Sequence, residues 1–147
     1  MGGGFSANIV NTATQYGIGG YNALFTGPFS DANLFIGPEA GMHNVGGQGI
    51  GNTFAGNQAG FSNSTAAFNT FIGFQAGSSA TTGSDNTIVG YAAGTNITSQ
   101  VSNVFFGVSA GQSATGSHNA FLGPFAGQNL AGDYNIALGD AAGAPNS

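Results

Sequence analysis

The sequence is dominated by a nine-residue phrase that recurs about every 17 residues. The phrase is Asn-x-Φ-Φ-Gly-x-x-Ala-Gly, where Φ is an apolar residue, and a shorter copy occupies Ala23–Gly27. The intervals between full copies are 19, 17, 17, 17, 16 and 16 residues, and their lead asparagines are Asn33, Asn52, Asn69, Asn86, Asn103, Asn119 and Asn135. A fixed period of this length is typical of repeat architectures, in which each repeat forms one structural unit.

Each phrase contains one short apolar run before its first Gly. The residue two positions before that Gly is Phe in most copies, and the residue just before it is Ile, Val, Leu, Phe or Ala. Because adjacent residues in a strand point to opposite faces, these two columns lie on opposite faces of the same strand. Both faces are therefore apolar, which predicts burial on both sides.

The glycines of the phrase predict corners of a coil. Gly adopts positive φ readily, so the Gly after each strand and the Ala-Gly pair that follows it both indicate tight turns. The connectors between copies are rich in Ser, Thr, Gly and Asn, which predicts a solvated outer arc. We therefore predict an all-β fold with almost no helix. It is a β-solenoid or β-roll of 16–19-residue repeats with about eight coils, a ladder of lead asparagines and packing between chains.

Composition narrows the range of functions. The 147 residues include no Lys, no Arg, no Cys and only five carboxylates, while 41% are apolar. Disordered chains are poor in apolar residues, so this composition indicates a folded protein. Without cationic side chains there is no phosphate-binding patch, which argues against nucleic acid as a partner. No apolar run reaches about 18 residues, so we predict no membrane insertion through a helix.

The two apolar strand faces predict self-association. One chain coiled on itself buries one face, and burial of a single Phe stabilises a protein by about 1.5–3 kcal/mol. We predict that the Phe column faces outward and is covered by another copy, in a trimer or a filament. The chain also lacks the lysines that commonly protect sheet edges. The predicted assembly ladder consists of Phe25, Phe35, Phe54, Phe71, Ile88, Phe105 and Phe121.

No residue pattern predicts catalysis, a cofactor or a metal. Gly107–Gly111 matches the Gly-x-Ser-x-Gly pattern of hydrolases, but it is an ordinary copy of the repeat, and no carboxylate lies between Ser109 and His118. Gly46–Phe54 is similar to the calcium-binding β-roll repeat, but Gly51 stands where the carboxylate ligand is required. We therefore predict a non-enzymatic protein with no cofactor.

Two further patterns concern the surface. The sequons Asn63–Thr65 and Asn96–Thr98 lie in connectors, which makes Asn63 and Asn96 candidate glycosylation sites. Thr53, Thr70 and Thr87 share one repeat position and predict a short column of hydroxyl groups. A flat, uncharged column of this kind could order water, which leaves ice binding as an alternative function.

The phrases Asn69–Gly73, Asn86–Gly90 and Thr81–Thr87 resemble the head repeats of trimeric autotransporter adhesins and related repeats in bacteriophage tail fibres. The resemblance covers about residues 22–143. It implies a trimeric parallel β-roll that forms an exposed fibre or adhesin. It also implies a location outside the cell, on a cell-surface appendage or a virion.

Together these observations predict three segments: a Gly-rich N-terminal segment or assembly arm over 1–21, the repeat β-solenoid domain over 22–143 and a C-terminal tail over 144–147. We expect a structural protein that assembles with itself into an extracellular fibre, an appendage or a component similar to a phage tail fibre. The alternatives are an adhesin tip that binds a receptor or surface glycans, and an ice-binding solenoid.

Overall fold

A computed structural model describes the backbone of residues 15–18 and 21–25 and all atoms of residues 32–144. These residues form nine short strands, and no helix occurs among them. In chain order the strands are β1 (Gln15–Ile18), β2 (Tyr21–Phe25), β3 (Leu34–Ile36), β4 (Thr53–Ala55), β5 (Thr70–Ile72), β6 (Thr87–Val89), β7 (Val104–Phe106), β8 (Ala120–Leu122) and β9 (Ile136–Leu138).

The strands form one sheet in which each strand neighbours the next in sequence. Strands β3 to β9 are parallel and pair in strict register, so that Phe35, Phe54 and Phe71 lie side by side. Each parallel pair is joined by one turn of the chain, which gives a β-solenoid of about six turns with a spacing of about 17 residues. The predicted all-β solenoid is confirmed, and packing between chains stays a prediction.

The N-terminal end of the stack differs from the prediction of about eight coils. The shorter copy at Ala23–Gly27 does not form a coil, because β2 runs antiparallel to β3 and Phe25 pairs with Phe35. Only ten residues separate these two positions, whereas a full coil requires 16–19. A strand can return antiparallel through a short connection, but a parallel neighbour requires a longer crossover. β1 lies within the segment 1–21, which the sequence predicts as a Gly-rich N-terminal segment or assembly arm, and it pairs antiparallel with β2.

The Phe column lies inside the solenoid, so the prediction that it faces outward is wrong. Phe35, Phe54, Phe71, Ile88, Phe105 and Phe121 are at most 2% exposed within a single chain. Neighbouring rings stack, with centroids 4.9–5.0 Å apart and planes inclined by 5–9°. Phe25 is the remaining member of the predicted ladder, and the structure describes its backbone but not its side chain.

Small residues opposite the sheet explain why the rings fit inside. Ala76 and Ala80 are buried in the same core cluster as Phe71. The corner residue Gly77 has φ of +57°, and a Cβ atom there would lie 2.7 Å from the Phe71 ring. In this coil the interior is therefore wide enough for an aromatic ring because the facing wall consists of Ala and Gly.

The connectors form part of that wall, which corrects the prediction that they are a solvated arc. One connector position in each coil, the third residue after the Ala-Gly pair, points into the core. Its buried occupants are Asn63, Ala80, Ile97 and Ala114.

The predicted ladder of lead asparagines forms, and it is buried from Asn33 to Asn119. Each Oδ1 accepts the backbone N–H of the lead asparagine on the next coil, over 2.7–3.0 Å from Asn33 to Asn135. The Nδ2 of Asn69 also donates to the Gly83 carbonyl of its own connector, at 3.0 Å. The Asn69 side chain thus links the start of its strand to the next coil through Oδ1 and to the connector through Nδ2. Both polar groups of the amide therefore have hydrogen-bond partners although the side chain is buried.

Candidate functional site

The candidate site is the outward face of the parallel sheet. The first and third residues of each three-residue strand point away from the core, because the middle residue points inward. We use the name outer sheet face for these fourteen positions. They are Leu34, Ile36, Thr53, Ala55, Thr70, Ile72, Thr87, Val89, Val104, Phe106, Ala120, Leu122, Ile136 and Leu138.

The outer sheet face exposes large apolar side chains in adjacent rows. Ile72 is 42% exposed, Phe106 53%, Leu122 50% and Leu138 66%. Seven rows at about 4.8 Å give a strip about 30 Å long. An exposed apolar strip of continuous rows is unusual on a monomer, which makes this face a candidate interaction surface.

The apolar character increases towards the C-terminal end of the stack. The first strand position is Thr53, Thr70 and Thr87 in three successive coils, and then Val104 and Ala120 in the next two. The predicted Thr column therefore exists, but it is three rows long and lies beside Ile and Val side chains. Ice binding by this column stays a prediction.

Aromatic side chains continue the apolar surface beyond the corner glycines. Phe74 and Tyr91 follow Gly73 and Gly90, and their exposed rings stack at 5.3 Å with planes inclined by 10°. Val108 holds the same position on the next coil and is also exposed. The surface carries no cation, because the chain has none.

The predicted glycosylation sites fall in different environments. Asn63 is fully buried, so a glycan on its Nδ2 would have to fit inside the core, which argues against modification of this residue in the folded chain. Asn96 is exposed, and its Nδ2 donates to Ser113 Oγ at 3.0 Å. Asn96 stays a prediction.

The residues considered for chemistry occupy structural positions. Ser109 is buried at a left-handed corner with φ of +52°. His118 stacks on the Tyr134 ring at 4.8 Å. The other histidine of the sequence is His43, and its ring packs edge-on against Phe61 at 4.5 Å. Among the described residues there is no cluster of three or more His, Asp or Glu side chains that could hold a metal ion. In that same part of the chain, no helix is long and apolar enough to cross a membrane.

Sequence reasoning identified both strand columns but assigned them to the wrong sides. The signal that separates them is side-chain size. The middle strand position holds Phe in five of the seven parallel strands, as expected of an interior of constant width, with Ile88 and Ala137 as the exceptions. The third position ranges from Ala55 to Phe106, a variation in volume that only a surface tolerates.

Comparisons with known proteins find no relative of this chain. No protein-family model matches it, no curated protein matches it in sequence, and no solved structure matches its fold.

Proposed function

We propose that this protein is a non-enzymatic structural subunit that associates with itself through the outer sheet face. The observation that carries the proposal is the strip of exposed Ile, Leu, Val and Phe side chains on a rigid parallel sheet. Covering such a strip removes apolar area from water at about 25 cal/mol per Å², so a second copy of the same face is a favourable partner. A self-complementary patch of this kind is typical of symmetric homo-oligomers.

The biological setting that fits this proposal is an exposed fibre, an appendage or a component similar to a phage tail fibre. The resemblance of the repeat to adhesin heads and tail fibres favours a location outside the cell or on a virion. A solenoid with neither Lys nor Arg also offers no cleavage site for trypsin, which suits a protein exposed to such proteases.

Sedimentation velocity of the purified chain, compared with a variant of the outer sheet face, tests the proposal. We expect the double variant Phe106→Asp with Leu122→Asp to lose the lateral association of the parent chain and to sediment as smaller species, since both side chains are about half exposed. The matched control carries Thr82→Asp and Thr115→Asp, which add the same charge at exposed connector positions. A parent chain that sediments as a monomer at all concentrations would refute the proposal.

A second candidate function is glycan or receptor binding by an adhesin tip. The stacked and exposed rings of Phe74 and Tyr91 favour it, because flat aromatic surfaces suit the apolar faces of sugar rings. A glycan array probed with the parent chain and with Tyr91→Ala tests this candidate. Binding that is equal in both proteins would rule out the ring pair as the site.

A further inference from the structure

The two ends of the sheet leave strand edges open in the part of the chain that the structure describes. There, β1 pairs only with β2, and β9 pairs only with β8. An open strand edge presents unpaired N–H and C=O groups, which form a template for pairing with another chain.

The two open edges run in the same direction. β1 is antiparallel to β2, and β2 is antiparallel to β3, so two reversals return β1 to the direction of β3. From β3 to β9 every pair is parallel. A second copy moved along the stack axis therefore brings its β1 beside β9 as a parallel pair, the same arrangement that joins the coils within one chain.

The C-terminal edge carries the groups that a following parallel strand requires. Within the stack, the N–H of the first strand residue donates to a carbonyl of the next coil, as Ala120 does to Asn135 at 2.9 Å. The corresponding N–H of Ile136 has no following coil among the described residues. On the preceding coil, the Leu122 carbonyl and the Asn119 Oδ1 accept N–H groups of residues that flank β9. The Leu138 carbonyl and the Asn135 Oδ1 hold the equivalent positions on the last coil, so they can accept the same bonds from a following strand.

Nothing in the sequence of either edge opposes this pairing. β9 contains neither Pro nor a charged residue, and β1 and β2 contain no charged residue. The last coil carries Asp133 and Asp140, but the Asp133 carboxylate already accepts the backbone N–H of Ser117 at 2.7 Å. The edge is also apolar, since Ile136 is 77% exposed.

We propose that the occupant of the β9 edge is β1 of a second copy, so that chains join end to end through one continuous parallel sheet. The contact is heterologous, because one copy offers β9 and the other offers β1, and such contacts generate open filaments. Nine strands per copy at about 4.8 Å predict an axial repeat of about 43 Å along the filament. The proposal rests on the proposed function only in assuming that the chain associates with itself.

Disulfide trapping in the full chain tests this contact, since the parent has no Cys. One variant carries Leu138→Cys, and four others carry a single Cys at each position of β1 in turn, from Gln15→Cys to Ile18→Cys. We expect mild oxidation of a mixed pair to give a covalent heterodimer for at least one β1 position. A chain that carries both substitutions should give a ladder of dimers, trimers and longer species on a non-reducing gel.

Two outcomes would overturn the proposal. In the first, none of the four β1 positions cross-links to Leu138→Cys while sedimentation still detects association. In the second, the Phe106→Asp and Leu122→Asp background, which lacks the lateral contact, abolishes the cross-links between Leu138→Cys and the β1 positions. Both leave the outer sheet face as the site of association, so failure of the end-to-end contact is distinguishable from failure of the proposed function.

A backbone variant provides an independent measurement by electron microscopy. Ile136→Pro removes an N–H that no described residue accepts and keeps an apolar side chain on the outer sheet face. We expect this variant to lose the 43 Å axial repeat while it still associates laterally. Conversely, Phe106→Asp with Leu122→Asp should keep end-to-end cross-linking, and filaments of Ile136→Pro with an unchanged repeat would contradict the contact.

Discussion

Replacement of the buried Asn63 by Ala is expected to stabilise this protein. Asn63 is fully buried, and neither its Nδ2 nor its Oδ1 has a hydrogen-bond partner in the structure. Its position in the coil is the one that Ala80 and Ala114 occupy in later coils, where both are part of the core. The backbone of this slot therefore accepts Ala without rearrangement.

The magnitude follows from two opposing effects. A buried polar group without a partner costs about 1–3 kcal/mol, which the substitution recovers. Removal of the amide leaves a void on the order of 30 Å³, which at about 24 cal/mol per Å³ costs about 0.7 kcal/mol. We expect a net gain of about 1 kcal/mol in the free energy of unfolding.

The matched control is Asn69→Ala, which removes an asparagine of the ladder. The Oδ1 of Asn69 accepts the N–H of Asn86 at 2.9 Å, and its Nδ2 donates to Gly83 at 3.0 Å. Truncation leaves a buried N–H and a buried carbonyl without partners, at a cost of about 1–3 kcal/mol each. The two substitutions therefore delete the same atoms and are expected to change stability in opposite directions.

Urea denaturation followed by far-UV circular dichroism measures both effects. The comparison belongs in the background of Phe106→Asp, Leu122→Asp and Ile136→Pro, so that neither lateral nor end-to-end association contributes to stability. With a slope of about 1–3 kcal/mol per M, the gain from Asn63→Ala raises the midpoint by about 0.5 M. A loss of stability comparable to that of Asn69→Ala would refute the reasoning, because Asn63 would then make hydrogen bonds in solution.

Three further outcomes are expected from the same structure. Phe71→Ala is expected to cost about 3–5 kcal/mol in urea denaturation because the ring fills the core, whereas Phe106→Ala, on the outer sheet face, should change the midpoint little. Gly77→Ala should unfold at a clearly lower temperature by calorimetry, since its Cβ would lie 2.7 Å from the Phe71 ring, and an unchanged transition would contradict the packing described. In a host that glycosylates secreted proteins, mass spectrometry should detect modification at Asn96 and none at Asn63, and a glycan on Asn63 would show that the core opens before modification.

The repeat period was sufficient to predict the solenoid, because coils of nearly equal length can stack only with equivalent residues in register. The predicted asparagine ladder follows from the same logic and is found from Asn33 to Asn135. The antiparallel start was not predicted, since the phrase at Ala23–Gly27 copies the strand but lacks the length of a coil. The ten-residue spacing indicated the antiparallel start, whereas the similarity of the phrase to a full repeat suggested another coil.

The side of the strand that faces inward could not be read from hydrophobicity, because both columns are apolar. The non-glycine corners were also missed: Gln75, Ala92 and Ser109 adopt left-handed φ of 52–54° although only Gly does so at little cost. Tertiary stacking imposes these conformations, since the N–H of each corner residue donates to a carbonyl of the preceding coil. Local conformational propensity alone therefore does not predict these left-handed residues.

The asparagine ladder also has a direction, and that direction matches the order of protein synthesis. Each side-chain oxygen accepts the N–H of the coil that follows it in the sequence and is therefore synthesised later. The coil that is already synthesised presents the sheet edge on which the next strand pairs. Winding can therefore follow translation one turn at a time, and each new turn needs only the one before it. The antiparallel pair of β1 and β2, which precedes the coils along the chain, offers a sheet edge on which the first coil can form.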